Sequence, residues 1–302
     1  MTKYFFSSCA LLICCGDVQP KSTLEPTSEP SAIIENNDAT SDPLEEGDFC
    51  DYVYLLERRQ GTSGYAPYLW RFDPSTTTLT ELGFLDCPFS ANDYLIAMTA
   101  DSKGLLWFLS ESEYLFRSDP STLSCSATNL AAFDSANNIR SRSLAFMKQD
   151  VDAEDELFFS SYRASSSSRQ GVLTSLVQGS LAVVGDIPGF TGNGAVMELA
   201  GSADGRLFGQ SFAVGDSSHF IELDPYTGDV ISDYDLGIES GNAFTFSIIE
   251  GMAWMFLSTG PGGVSEILQY NPDSHDLIRV KTLNTTMLGS AAPTCASDES
   301  GS

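Results

Sequence analysis

From residue 50 onward, hydrophobic residues fall in short runs separated by polar or glycine-bearing turns, and the same order of runs returns along the chain. Five runs, at 52–56, 105–109, 157–162, 207–212 and 253–257, are largely apolar on successive residues, as LLWFL and AWMFL illustrate. Strands apolar on both faces are expected where a neighbouring sheet covers each side. A second set of apolar runs, at 94–100, 143–147, 195–200 and 244–249, precedes four of them. A third set ends in a recurring turn: FDPST at Asp73, SDPST at Asp119, LDPYTG at Asp224 and YNPD at Asn271. Asp or Asn there accepts from backbone amides, proline presets φ, and glycine supplies a positive φ where present. The proline also stops the preceding strand, which must therefore end in a hairpin.

Successive turns lie about 46–48 residues apart, with one double interval between Asp119 and Asp224. Near its midpoint, 172–180 (VLTSLVQGS) reads as a copy that has lost its Asp-Pro. Outer strands such as 79–82 and 230–234 complete each unit. Four antiparallel strands at a period in the forties mark the blade of a β-propeller. Counting the two-sided runs predicts five blades, with six through a degenerate unit as the alternative. The first unit has no inner strand before residue 52, whereas the chain's end has a spare one at 287–295. Ring closure by that last strand leaves no open edge, which an open sheet would. The predicted organisation is an export signal at 1–15, a tether at 16–48, the propeller at 49–297 and a short tail at 298–302.

Composition then narrows the setting. The 302 residues carry 41 acidic against 15 basic side chains, a formal net charge of −26. Such a surface repels phosphate backbones and excludes nucleic acid as the expected partner. Lys3 and the short apolar run 4–13 resemble an export signal too short to span a bilayer. The sequence Leu12-Ile13-Cys14-Cys15-Gly16 resembles a bacterial lipobox, with Cys15 as the acylated residue and Cys14 as the alternative. Acylation would attach the chain to a membrane without a transmembrane helix; ordinary secretion is the alternative. The stretch 17–48, rich in Pro, Ser, Thr, Glu and Asp, is expected to be a solvated tether.

Four cysteines lie in the folded part, Cys50, Cys87, Cys125 and Cys295, and they allow three pairings. Ring closure places Cys50 beside Cys295, so a bridge there would hold the ring shut; Cys87–Cys125 then follows by elimination. The absence of CxxC spacing argues against a metal site from these four.

Candidate chemistry is sparse. A small motif precedes the inner strands, ending in Asn92, Asn137, Asn193 and Asn242. Superposed blades would set these uncharged amides around the channel mouth, suited to a glycan or a peptide backbone. The competing reading is a loop cap bonded to its own backbone. The two histidines, His219 and His275, lie beside the Asp-Pro hairpins, which disfavours a histidine metal site or a Ser-His-Asp triad. A glycoside hydrolase would need carboxylates across the channel, and Asp93, Glu198 and Glu250 are the candidates. Acidic residues of the segment 150–156 offer a weak calcium reading, without the spacing of an EF-hand loop.

Through FRSDPSTLSC, ADGRLFG, ELDPYTGDV and the terminal PTCA, residues 50–296 resemble a group of uncharacterised bacterial secreted lipoproteins with propeller-like repeats. The resemblance implies fold and export but no catalytic residues. The expectation is a membrane-tethered, extracytoplasmic propeller that binds a protein or glycan without catalysis and without a cofactor. The alternative is a carbohydrate-active or calcium-dependent hydrolase.

Overall fold

A computed structural model describes residues 48–295 except 62–63, 91–92, 151, 165–167, 193–196, 212–216, 240–242 and 259–263. The readings made for the export signal, Cys14, Cys15, the tether up to residue 47, Asn92, Asn193, Asn242 and the tail fall outside the described residues. After a short 3-10 turn at Asp48–Asp51, the chain is β-structure throughout its described part.

Five antiparallel sheets follow one another. The first holds β1 (Val53–Gly61), β2 (Gly64–Asp73) and β3 (Thr78–Phe84), and the second holds β4 (Leu95–Ala100), β5 (Leu106–Ser110), β6 (Tyr114–Ser118) and β7 (Cys125–Ala131). The third holds β8 (Phe133–Asp134), β9 (Ile139–Met147), β10 (Glu156–Ala164), β11 (Arg169–Val177) and β12 (Ser180–Thr191). The fourth holds β13 (Met197–Gly201), β14 (Leu207–Ser211), β15 (Ser217–Leu223) and β16 (Val230–Glu239). The fifth holds β17 (Ala243–Ile249), β18 (Met252–Ser258), β19 (Ser265–Tyr270) and β20 (Leu277–Leu283). The last strand, β21 (Met287–Ala291), returns to pair antiparallel with β1, matching Tyr54 to Ala291 and Leu55 to Ser290. The inner strands β21, β4, β9, β13 and β17 stand side by side in a closed ring. This is a five-bladed β-propeller, closed by its C-terminal strand as the repeat arithmetic requires.

An apolar cluster fills each of the five gaps between blades. Tyr54, Leu69 and Phe108 join blades one and two, and Leu109, Leu144 and Phe159 join two and three. Phe158, Leu199 and Ile221 join three and four, Phe220, Phe246 and Met255 join four and five, and Phe72, Trp254 and Phe256 close five on one. Each two-sided strand serves two gaps at once, which is why those runs lack polar alternation. Two disulfides are present, Cys50–Cys295 and Cys87–Cys125, as expected from closure.

The Asp-Pro turns work as anticipated. Asp73 accepts from the Ser75 N–H at 2.8 Å, Asp119 from Ser121 at 2.8 Å, Asp224 from Tyr226 at 2.8 Å and Asn271 from Asp273 at 2.9 Å. Four residues after each Asp or Asn the backbone turns left-handed: Thr77 (φ 54°), Leu123 (57°), Gly228 (79°) and His275 (63°). Only one of the four is glycine, so the turn geometry prevails over side-chain preference at the other three.

Candidate functional site

Three regions bring polar side chains together: the axis, the face on which the inner strands begin, and a cleft on the opposite face.

At the axis, the five inner strands contribute hydroxyls and one carboxyl. Glu198 on β13 is 8% exposed. Its Oε1 accepts from Thr245 Oγ1 on β17 at 3.3 Å, and Ser143 on β9 also bonds the carboxyl. Thr245 Oγ1 lies 2.8 Å from Ser290 Oγ on β21, which accepts from Ser247 Oγ at 3.0 Å. On β4, Thr99 Oγ1 accepts the N–H of Phe146 at 3.1 Å. Burial pushes the Glu198 pKa up to about 8, with the Ser143 and Thr245 hydroxyls pulling the other way. At neutral pH the side chain is therefore mostly a neutral acid within a hydroxyl network. The adjoining void, lined by Thr99, Ser247 and Ser290, measures about 10 Å³, room for one water at most. Gln210, directly across the ladder from Glu198, is fully buried, and neither amide atom has a hydrogen-bond partner.

The face on which the inner strands begin carries aromatic side chains on blades one to three. Tyr65 is 51% exposed, Tyr114 50% and Phe133 38%. Arg58 lies between the Tyr65 and Tyr94 rings, 4.4 and 4.6 Å from their centroids. Tyr114 and Phe133 meet edge to face at 6.3 Å. Glu113, beneath them, is buried; desolvation raises its pKa, against the pull of Arg140 and Arg142.

Of the four asparagines expected at this face, Asn137 is described. It lies in the turn between β8 and β9, where its side-chain amide donates to Asp134 Oδ2 at 2.7 Å. Asp134 also accepts the N–H groups of Ala136 and Asn137, at 2.9 and 3.2 Å, so the cap here is an aspartate. β8 makes blade three five-stranded, a departure from the four strands expected. Asp93 spends its Oδ1 on the N–H groups of Tyr94 and Ser112, both at 3.0 Å. Glu250 lies in the β17–β18 turn, at the opposite end of its strand from this face. In the acidic segment, Asp155 accepts from Ser102 and Thr294, tying blades two and three to the chain's end. His219 bonds Asp233 at 2.7 Å, and His275 bonds the Tyr270 hydroxyl at 2.8 Å.

The cleft lies between blades five and one. Its walls are Asp51, Tyr52 and the Asp73–Pro74–Ser75 turn on one side, and Ile249, Glu250, Met252, Trp254 and Gln269 on the other; its volume is about 340 Å³. That lies within the range of small-ligand sites. The Cys50–Cys295 bridge fixes the residue next to Asp51. Residue spacing gave no sign of this cleft, because its walls come from the two ends of the folded chain.

No family model matches the sequence, and no curated protein matches it. Among solved structures, a candidate 6-phosphogluconolactonase from Bacteroides fragilis is similar at 11% identity and TM-score 0.41, covering 82% of this chain and 99% of that one. The Aleuria aurantia lectin, solved with α-methyl-L-fucoside, is similar at 10% identity and TM-score 0.42, covering 80% and 85%. A protein of unknown function from Dyadobacter fermentans is similar at 8% identity and TM-score 0.48, covering 76% and 80%. Likenesses of this size assign no ligand to the present chain.

Proposed function

We propose that this chain is an envelope-anchored binding module, belonging with the propeller-repeat lipoproteins it resembles. It is held by a lipid on Cys15 and a tether, and it recognises a protein or glycan on the face where its inner strands begin. The observation that carries the reading is the row of exposed aromatics, Tyr65, Tyr114 and Phe133, flanked by Arg58 and Arg140. Aromatic and arginine side chains on an otherwise acidic surface suit recognition. Asn92, Asn137, Asn193 and Asn242 add amides to the same recognition. Two disulfides agree with an oxidising compartment. The carboxylates considered for hydrolysis support binding better: Asp93 holds a loop, Glu198 is enclosed and Glu250 sits at the far turn.

Glycan and peptide arrays probed with the purified protein, with and without calcium, test the reading. Tyr114→Ala/Phe133→Ala is expected to lose the retained ligand. Unchanged retention by that variant would contradict the site. Glycoside hydrolysis abolished by Glu198→Gln would contradict the non-enzymatic reading. Labelled fatty acid incorporated by the wild type but not by Cys15→Ser checks the anchor.

A further inference from the structure

The cleft between blades five and one brings together polar groups that have no partner among the described residues. Of the three tryptophans, Trp70 donates its indole N–H to Glu57 at 2.8 Å and Trp107 to Asp101 at 3.1 Å. Trp254 is 6% exposed, yet its N–H has no hydrogen-bond partner among the described residues and is not sealed from solvent. The ring is held edge to face against Phe72 at 5.1 Å, so its orientation is fixed by the core of the closing joint. Trp254 also lines the cleft, and a buried donor left without a partner there calls for an acceptor.

The acidic groups at the rim show the complementary deficiency. Asp73 is consumed by its own turn, accepting from Ser75 and Thr76. Asp51 and Glu250 have no hydrogen-bond or ion-pair partner among the described residues. Arg71, a nearby cation, lies over the Tyr52 ring at 4.4 Å. Ile249, Met252 and Pro74 add apolar surface to the lining of the same cleft. This combination offers two carboxylates for a cation, an apolar strip for an aliphatic stem, and a fixed N–H for a carbonyl.

We infer that this cleft binds a basic side chain, with its flanking peptide, from a partner protein. The guanidinium or ammonium group lies between Asp51 and Glu250, and the adjoining peptide carbonyl accepts from Trp254. The stem of such a side chain covers Met252 and Ile249, as long cationic side chains do on apolar surface. The net charge of −26 favours approach of a basic segment. A neutral saccharide fits less well, since the Trp254 ring packs edge to face against Phe72 and is only 6% exposed, leaving little ring face to stack on. This site lies on the face opposite the aromatic row, so each can fail without the other.

The test is calorimetric titration of the full chain, at low salt, with the peptide acetyl-Gly-Arg-Gly-amide and its neutral citrulline counterpart. The arginine peptide is expected to bind at least about tenfold more tightly, the scale of a charge-assisted hydrogen bond. Asp51→Asn/Glu250→Gln, both at exposed positions, is expected to remove that difference without altering the fold. Trp254→Phe should weaken both peptides several-fold. Equal affinity for the two peptides, wild-type affinity in the double carboxamide variant, absence of binding, or displacement by a neutral oligosaccharide would each overturn the proposal.

Discussion

The axis and the cleft between blades five and one are both rich in polar side chains, and they differ in where those side chains find their partners. At the axis, Glu198, Ser143, Thr245, Ser247 and Ser290 bond one another across four inner strands, and Ser247 and Ser290 also line a void of only about 10 Å³. In the cleft, the Asp51 and Glu250 carboxylates and the Trp254 N–H are without partners among the described residues, and all three residues line a volume of about 340 Å³. A buried polar network satisfied within the chain specifies how the blades meet. Unspent groups around a cavity leave free energy for a ligand. Apart from Gln210, whose buried amide stays unpaired, the polar groups at the axis are spent on one another, whereas those of the cleft are open to a ligand.

The largest effects concern the joint that carries the cleft. Cys50→Ala/Cys295→Ala opens a loop spanning 245 residues, and chain entropy puts the loss at roughly 5–6 kcal/mol. Urea denaturation should show it as a lower midpoint. Because the bridge positions Asp51, the same variant should also weaken the arginine peptide.

Glu198 gives an effect nearly as large at the axis, with a definite sign. Its folded pKa of about 8 lies above the carboxylate value of 4.5, so between these values the native state holds a proton that the unfolded chain has released. Stability should therefore be full below about pH 4.5, fall by about 1.4 kcal/mol per pH unit as pH rises, and level off above about pH 8. The total is roughly 3–5 kcal/mol. Glu198→Gln keeps hydrogen bonding without the charge, and its denaturation midpoint should lose this component of the pH dependence. A slope identical to that of the wild type would show that the carboxyl is already solvated.

Two smaller changes sharpen the picture. At Gly201 on β13, an added Cβ would run into the Phe146 carbonyl oxygen of the neighbouring strand β9. Gly201→Ala should cost about 1–3 kcal/mol in thermal unfolding. Gln210→Leu replaces a buried amide whose two polar atoms are unpaired, and it should be neutral or stabilising by about 1 kcal/mol. A loss above that would reveal a hydrogen bond that Gln210 makes in solution.

The sequence announced the repeat because its signals are local. A two-sided apolar run and an Asp-Pro turn each act within a few residues, so LLWFL, AWMFL and the four turns located strands without tertiary information. Closure followed from one missing and one spare strand, and the disulfides followed from closure. What escaped was set by contacts distant in sequence. β8 has two residues, too few for any period to register, and it converts the Asn137 motif from a loop before an inner strand into a hairpin turn. The partners of Glu198 come from 55 positions before it, at Ser143, and 47 after it, at Thr245. The cleft unites Asp51 with Glu250 and Trp254, which no spacing connects. An available clue was the set of three tryptophans: two have acidic partners in their own sheets, and the third does not.

The most direct test of the contrast is to measure arginine-peptide affinity in two variants side by side at pH 7, Glu198→Gln at the axis and Asp51→Asn/Glu250→Gln in the cleft. The expected result is wild-type affinity for Glu198→Gln and a loss of at least about tenfold for the cleft variant. Binding that fails in Glu198→Gln and persists in Asp51→Asn/Glu250→Gln would contradict the account, placing the site at the axis instead.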